Sequence, residues 1–362
     1  MNKTSTVRPA KRGTDLTTYL LLFLSMVVLL AVLKIAKAIL IPFALAVFFA
    51  FILYPVVKFL NWLKIPYGLA VGIVIIAVIV VCLGATFIIA GQLTSFAQEL
   101  PQYQEALAGY LDKVQSAYEG VAEKFASFLP GKPVTSTGEQ ASNNILPQLF
   151  SGVLTGILSL FSVLSHFIFI IFILIFLLSD ARSLGEKLVK AWGKTEEKRA
   201  GEIVEAIRRG IGDYIIIRCA INAGLAVVVT LCLICFGVNY AYIWGPLTGV
   251  LNFIPYLGAT VGLLPPLVMA IVQNHSWFSI ILLMASLLVI QNIEGNIITP
   301  KMVGERVDLN ALTVILSLVL WGYIWGMVGM ILAVPLTTCF KILCDHIEPL
   351  KPLGVLMGGK DS

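Results

Sequence analysis

The feature that most limits what this chain can fold into is residues 242–272, YIWGPLTGVLNFIPYLGATVGLLPPLVMAIV, apolar throughout but interrupted near the middle by Asn252, Pro255 and Gly258. Such a stretch belongs in a bilayer, yet it cannot be one straight helix. Pro255 has no amide hydrogen and its ring collides with the carbonyl one turn back, while Pro265-Pro266 and the glycines add further breaks. An unpaired peptide group in hydrocarbon costs several kcal/mol, so irregular backbone at that depth survives only buried in protein or lining a wet cavity. The stretch is therefore where binding is first expected. A second copy lies near the C-terminus, where residues 323–335 read YIWGMVGMILAVP against YIWGPLTGVLNFIP for 242–255, with one residue deleted. Paired interrupted segments are what transporters built from internal repeats show, with the substrate site at the repeat interface.

The rest of the composition agrees. The chain is 59% hydrophobic and 12% charged, with a mean hydropathy of +0.94, whereas about a quarter of the residues in soluble domains are charged. We read an all-α polytopic membrane protein of about six full transmembrane helices plus two broken, re-entrant helical hairpins forming an inverted repeat. The basic start (Lys3, Arg8, Lys11, Arg12) leads into an apolar run without a small-x-small cleavage site, so it reads as a retained signal anchor. The net charge of +5 is spread along the chain and points to no nucleic acid.

In order, residues 1–18 form an N-terminal tail and 19–91 hold three transmembrane helices. Residues 92–147 leave the membrane as an amphipathic helix and polar linker. A fourth span occupies 148–178, and 179–213 continue as charged amphipathic helices. Residues 214–344 form a transport core with broken segments 242–272 and 311–343, and 345–362 a tail. Segment 92–147 carries only Lys113, Lys124 and Lys132, whereas 179–213 carries Arg182, Lys187, Lys190, Lys194, Lys198, Arg199, Arg208 and Arg209. The positive-inside rule then puts both termini and 179–213 in the cytoplasm. The broken segments could either cross or return to the side they came from. Lys301 and Arg306 between them favour hairpins entering from opposite faces.

Polar residues inside apolar runs are the candidate pathway: Asn222, Asn252, Asn292, Glu294 and Asn296, with Pro255, Gly258 and Pro300 shaping the backbone. Asn292, Asn296 and Thr299 recur at helical spacing beside Glu294. An intramembrane carboxylate is a functional suspect by default, although one this near a span's end would also serve as a loop carboxylate paired with Lys301 or Arg306. Arg218 lies close enough to its helix end to be a snorkelling anchor. Asn222 also reads as packing glue between helices, and Asn252 as the cap of a half-helix. The six cysteines and His166, His275 and His346 are too scattered for a metal site. No Walker A loop or nucleophile motif appears, so no cofactor and no enzyme chemistry is expected.

Several of these residues together resemble the autoinducer-2 exporter family of bacterial membrane proteins: Ile41 to Phe43, Tyr54-Pro55, Tyr214 with Arg218, the NFIPYLG of Asn252 to Gly258, Asn296 with Pro300 and Gly304, and the closing AVPL of Ala333 to Leu336. The resemblance covers nearly the whole chain. It implies an inner-membrane transporter with two re-entrant hairpins, assembled as a homo-oligomer such as a pentamer, in which a mobile unit moves against a scaffold. Similar proteins are described either as exporters of the quorum-sensing signal autoinducer-2 or as sodium(lithium)/proton antiporters, and this chain looks closest to the exporters. A third reading, from another class, is a non-transporting membrane scaffold that binds a partner through residues 102–129.

Overall fold

A computed structural model describes residues 15–88, 91–92, 95–96, 98–99, 167–191, 197–273, 276–303, 308–347 and 350–359. The expected extracytoplasmic helix at 102–129, its linker and the first part of the fourth span lie outside these residues. The described elements are helical: α1 Asp15–Ile35, α2 Lys37–Trp62, α3 Tyr67–Ile88, α4 Phe167–Ala191, α5 Glu197–Cys235, α6 Ala241–Leu251, α7 Leu257–Val272, α8 Trp277–Ile293, a π-turn Glu294–Ile298, α9 Thr299–Val303, α10 Ala311–His346 and α11 Lys351–Met357.

The 39-residue α5 is the spine. At 1.5 Å per residue it is about 58 Å long, so the charged stretch before Tyr214 and the apolar stretch after it are one continuous rod. Its inner face is Tyr214, Arg218, Asn222, Leu225, Val229 and Leu233, all buried, at the three- and four-residue spacing of a single helical stripe.

Against that stripe lies the first hairpin, α6 and α7. Gly245 and Gly249 let α6 approach α5 backbone to backbone. A Cβ on Gly249 would stand 2.7 Å from the Asn222 carbonyl oxygen and 2.9 Å from the Ala226 Cβ, the close contact that small residues four apart provide between membrane helices. Between these glycines Thr248 is fully buried, its hydroxyl 2.8 Å from the Trp244 carbonyl and 3.0 Å from that of Gly262, which stitches α6 to α7. The Asn239 amide donates to the Gln273 side-chain carbonyl. Both ends of the hairpin thus meet beyond the C-terminal end of α5, and the chain goes out and returns to one place. Leu225, Val229 and Leu233 pack with Trp244, Met269, Leu283 and Leu287 in one apolar cluster.

The second hairpin is hidden inside α10. Gly326 has φ 65° and ψ −143°, a conformation open to glycine alone, and the helix folds back there. The Trp321 indole donates to the Thr337 hydroxyl at 3.1 Å, although sixteen residues of straight helix would separate them by about 24 Å. At the open end Asn310 caps the first arm and Lys341 sits 3.0 Å from Asp308 and 2.8 Å from Asp345. The tail straps this base: the Asn310 side chain donates to the Leu356 and Gly358 carbonyls, and the Gly359 amide to Asp308. Ile254, from the turn of the first hairpin, packs with Leu318 and Ala333 of the second.

The two YIWG strings do not occupy equivalent places. Gly245 lies inside an arm of the first hairpin, whereas Gly326 is the turn of the second. The string match reflects similar membrane chemistry, while the correspondence between the hairpins is between residues 252–256 and Gly326.

Outside these contacts the surface is apolar. Leu20, Leu24 and Val28 on α1, Ile76, Val80 and Leu83 on α3, and Ile281 and Leu288 on α8 are all exposed. Five helices are long and apolar enough to cross a membrane. Apolar surface of that extent is covered by lipid, not by water.

Candidate functional site

The first hairpin turns over at residues 252–256. Pro255 and the left-handed Tyr256, φ 64°, break the helix, and a Cβ on Gly258 would collide with the Leu251 carbonyl. The turn is less open than its sequence suggests. The amides of Asn252, Phe253, Ile254 and Gly258 all bond back to carbonyls of the hairpin, so backbone donors are not left over for a ligand.

The turn's Asn252 meets Arg218 and Asn222 on α5 and Glu294 at the end of α8. Arg218 donates to the Glu294 carboxylate at 2.9 Å, to the Thr299 hydroxyl at 3.0 Å and to the Asn252 carbonyl at 2.6 Å. The Thr299 hydroxyl also lies 2.6 Å from the same Glu294 oxygen, and the Asn252 amide donates to the Asn222 side-chain oxygen at 3.0 Å. Arg218 is 8% exposed, Asn222 3%, Asn252 3% and Glu294 6%, so Arg218 is not a snorkelling anchor. It is the hub of a buried network joining α5, the first hairpin and the π-turn. Asn252 ends α6, so the guanidinium also faces the negative end of that helix dipole. A buried charge pair is tolerated only when its remaining hydrogen-bonding positions are met, and here Thr299 and Asn252 meet them.

The π-turn explains where sequence periodicity misleads. On an α-helix, residues five apart lie about 140° from each other; the wider turn at Glu294–Ile298 brings Thr299 under Glu294 instead. Asn292 and Asn296, two residues either side of Glu294, fall near the opposite face. Both are exposed, Asn296 donating to the Asn292 side chain and Asn292 to the Leu288 carbonyl. They do not line the cluster, and Thr299 leaves their stripe. Pro300 is the second residue of α9 and is exposed. Glu294 pairs with Arg218, not with Lys301.

One side chain of the cluster went unread in the sequence. Gln291 is 8% exposed and neither its amide nitrogen nor its oxygen has a partner; the Asn222 amide nitrogen is likewise unpaired. Each such atom costs about 1–3 kcal/mol if it stays dry. The signal was available, since Leu283, Leu287 and Gln291 recur every four residues, with Glu294 three further on, along the buried face of α8.

An apolar exterior around a helical core that encloses a buried ion pair and unpaired amides defines a multi-pass membrane protein with a polar site inside. Residues 23–348 match the model of the AI-2E family transporters, and the chain belongs to that family. It is 28% identical to the AI-2 transport protein TqsA of Escherichia coli, covering 92% of this chain and 93% of that one. A Haemophilus influenzae protein that bears a transport-protein name is 29% identical over 92% of this chain and 94% of its own length. The family and these relatives make transport across a membrane this chain's business.

Proposed function

We propose that this chain is a secondary transporter of the bacterial inner membrane that exports a small, neutral, hydroxyl-rich solute, autoinducer-2 being the candidate. In this reading both hairpins are re-entrant, they enter from opposite faces, the termini are cytoplasmic, and copies of the chain assemble as a homo-oligomer. The observation that carries it is the placement of the Arg218–Glu294 pair at the turn of the first hairpin, where the two charges cancel. What remains to meet a solute are the amides of Asn222 and its neighbours, which suit hydroxyl groups. The name of the Escherichia coli relative supports the choice of solute.

Sodium(lithium)/proton antiport is the second reading, because Glu294 is a buried carboxylate. Its charge is already matched by a guanidinium 2.9 Å away, which repels a cation at the same spot, so the site favours the neutral solute. The partner-binding scaffold of the third reading rests on residues outside those described.

The test is efflux of labelled autoinducer-2 from proteoliposomes containing the purified chain, beside a pH-dye assay with sodium or lithium. Efflux from the wild type, lost in Asn252→Leu and unaccompanied by cation-dependent proton movement, is expected. Proton movement on adding lithium, abolished by Glu294→Gln, would replace export with antiport.

A further inference from the structure

Three unpaired polar atoms buried in one apolar protein ask for an occupant, and their placement can be worked out. Asn239 bonds Gln273, so the end of α5 and the start of α8 lie at one end of the molecule. Seventeen residues separate Arg218 from Cys235, and seventeen separate Trp277 from Glu294. The two helices are therefore antiparallel and in register, with the ion pair at the foot of both. Asn222 stands four residues above Arg218, about 6 Å, and Gln291 three residues above Glu294, about 4.5 Å. They face each other one layer above the ion pair, on the buried stripes of α5 and α8. Above them the stripes become Leu225, Val229 and Leu233 against Leu283 and Leu287, an apolar plug. The ion pair forms the floor of this layer.

We propose that Asn222 and Gln291 form the seat of a neutral polyol ligand, with Gln291 the residue that selects hydroxyl groups over ions. The proposal deepens the export reading and rests on it for the choice of solute, though not for the existence of the seat. Asn222 spends its oxygen on Asn252 and offers only amide hydrogens; Gln291 offers both amide hydrogens and a carbonyl oxygen. A hydroxyl can accept from the Asn222 amide while donating to the Gln291 oxygen, and a neighbouring hydroxyl can accept from the Gln291 amide. A carboxylate has nothing to donate to the Gln291 oxygen and meets the Glu294 charge below. An alkali cation finds one amide oxygen, while the hydrogens of both amides and the Arg218 guanidinium oppose it. The glutamine thus rejects both charge signs, which a Leu or a Glu in its place would not.

The experiment measures thermal shifts of the full-length chain in nanodiscs with four probes: autoinducer-2, D-ribose, D-ribonate and lithium chloride. The wild type is expected to be stabilised by the neutral probes and not by ribonate or lithium. Gln291→Leu keeps the volume and removes both unpaired atoms. It should raise the melting temperature of the unliganded protein, because an unsatisfied amide is replaced by an apolar side chain, and weaken apparent affinity for the neutral probes roughly 10- to 100-fold through loss of two hydrogen bonds. Gln291→Glu should weaken them similarly and bring in a response to lithium. A lowered unliganded melting temperature in Gln291→Leu with probe shifts intact would make Gln291 a packing residue and overturn the proposal. A raised one with no probe shift in any protein would mean that the layer holds water alone, which also overturns it. Stabilisation by D-ribose, lost in Gln291→Leu, combined with no efflux of autoinducer-2 from wild-type proteoliposomes, would keep the seat and sink the export reading.

Discussion

Removing Arg218 tests the whole account of the cluster. In Arg218→Met the stem volume is roughly kept, but the Glu294 carboxylate, 6% exposed, loses the guanidinium at 2.9 Å and retains only the Thr299 hydroxyl at 2.6 Å. The Asn252 carbonyl at the end of α6 loses its partner as well. Breaking a buried pair from one side costs about 3–5 kcal/mol, because a bare charge is left in a medium that solvates it poorly. At roughly 2 °C per kcal/mol for a chain of this size, the melting temperature should fall by about 6–10 °C. Glu294→Gln should cost less, since its side-chain oxygen still accepts from Arg218 and Thr299. The double variant Arg218→Met/Glu294→Gln leaves no charge behind and should be milder than Arg218→Met alone, giving a coupling of about 2–3 kcal/mol in a double-mutant cycle. The assay is thermal unfolding of all four proteins in one detergent at one pH. An Arg218→Met shift below about 1 °C, or a double variant at least as unstable as the worse single one, would refute a buried, charge-matched pair and return Arg218 to the role of an exposed anchor.

Gly249→Ala should destabilise by about 1–3 kcal/mol through overpacking, since the new methyl meets the Asn222 carbonyl oxygen at 2.7 Å and backbone cannot yield; an unchanged melting temperature would show that α6 does not pack so tightly on α5. Tyr256→Gly relieves a left-handed backbone at φ 64° and should stabilise by about 1 kcal/mol, read as a melting temperature raised by about 2 °C. The strap at the second hairpin depends on pH. Burial pushes the Asp308 carboxyl up, but the Gly359 amide and the Lys341 ammonium outweigh it and hold the group below its ordinary 3.8. A depressed carboxyl contributes its stability above the unfolded value of about 3.9 and loses it as pH falls through the folded one. The tail should therefore remain protected from carboxypeptidase between pH 7 and 5 and open only below about 4, while Asp308→Asn should open it at pH 7 as well.

Much of this architecture was legible because membrane segments write their breaks in plain chemistry. Asn252, Pro255 and Gly258 placed the first turn within a few residues, and the burial of Arg218, Asn222, Asn252 and Glu294 together follows from the rule that polar groups at membrane depth seek one another. The second turn was legible as a broken segment but not located, since Gly326 is one glycine among several in 322–329 and only its backbone angles distinguish it. The errors about Asn292, Asn296 and Thr299 share one cause. Spacing arguments assume 3.6 residues per turn, and the π-turn at Glu294 does not keep it. Gln291 escaped for a different reason: a lone amide in an apolar run draws no attention until its neighbours are seen to leave it unpaired.

That π-turn also says something about how the site can change over time. A π-turn accommodates one residue more than the α-helix around it, and Gly295, with nothing within 4 Å of where its Cβ would be, is free to be that residue. A chain lacking it would carry α8 straight into α9 as regular helix, rotate everything beyond by about 100° and swing Thr299 away from Glu294. Losing a single codon would thus rewire the floor of the cavity while leaving every other helix where it stands, so the length of this one turn, more than the identity of any side chain in it, sets which polar groups the transporter keeps out of the lipid.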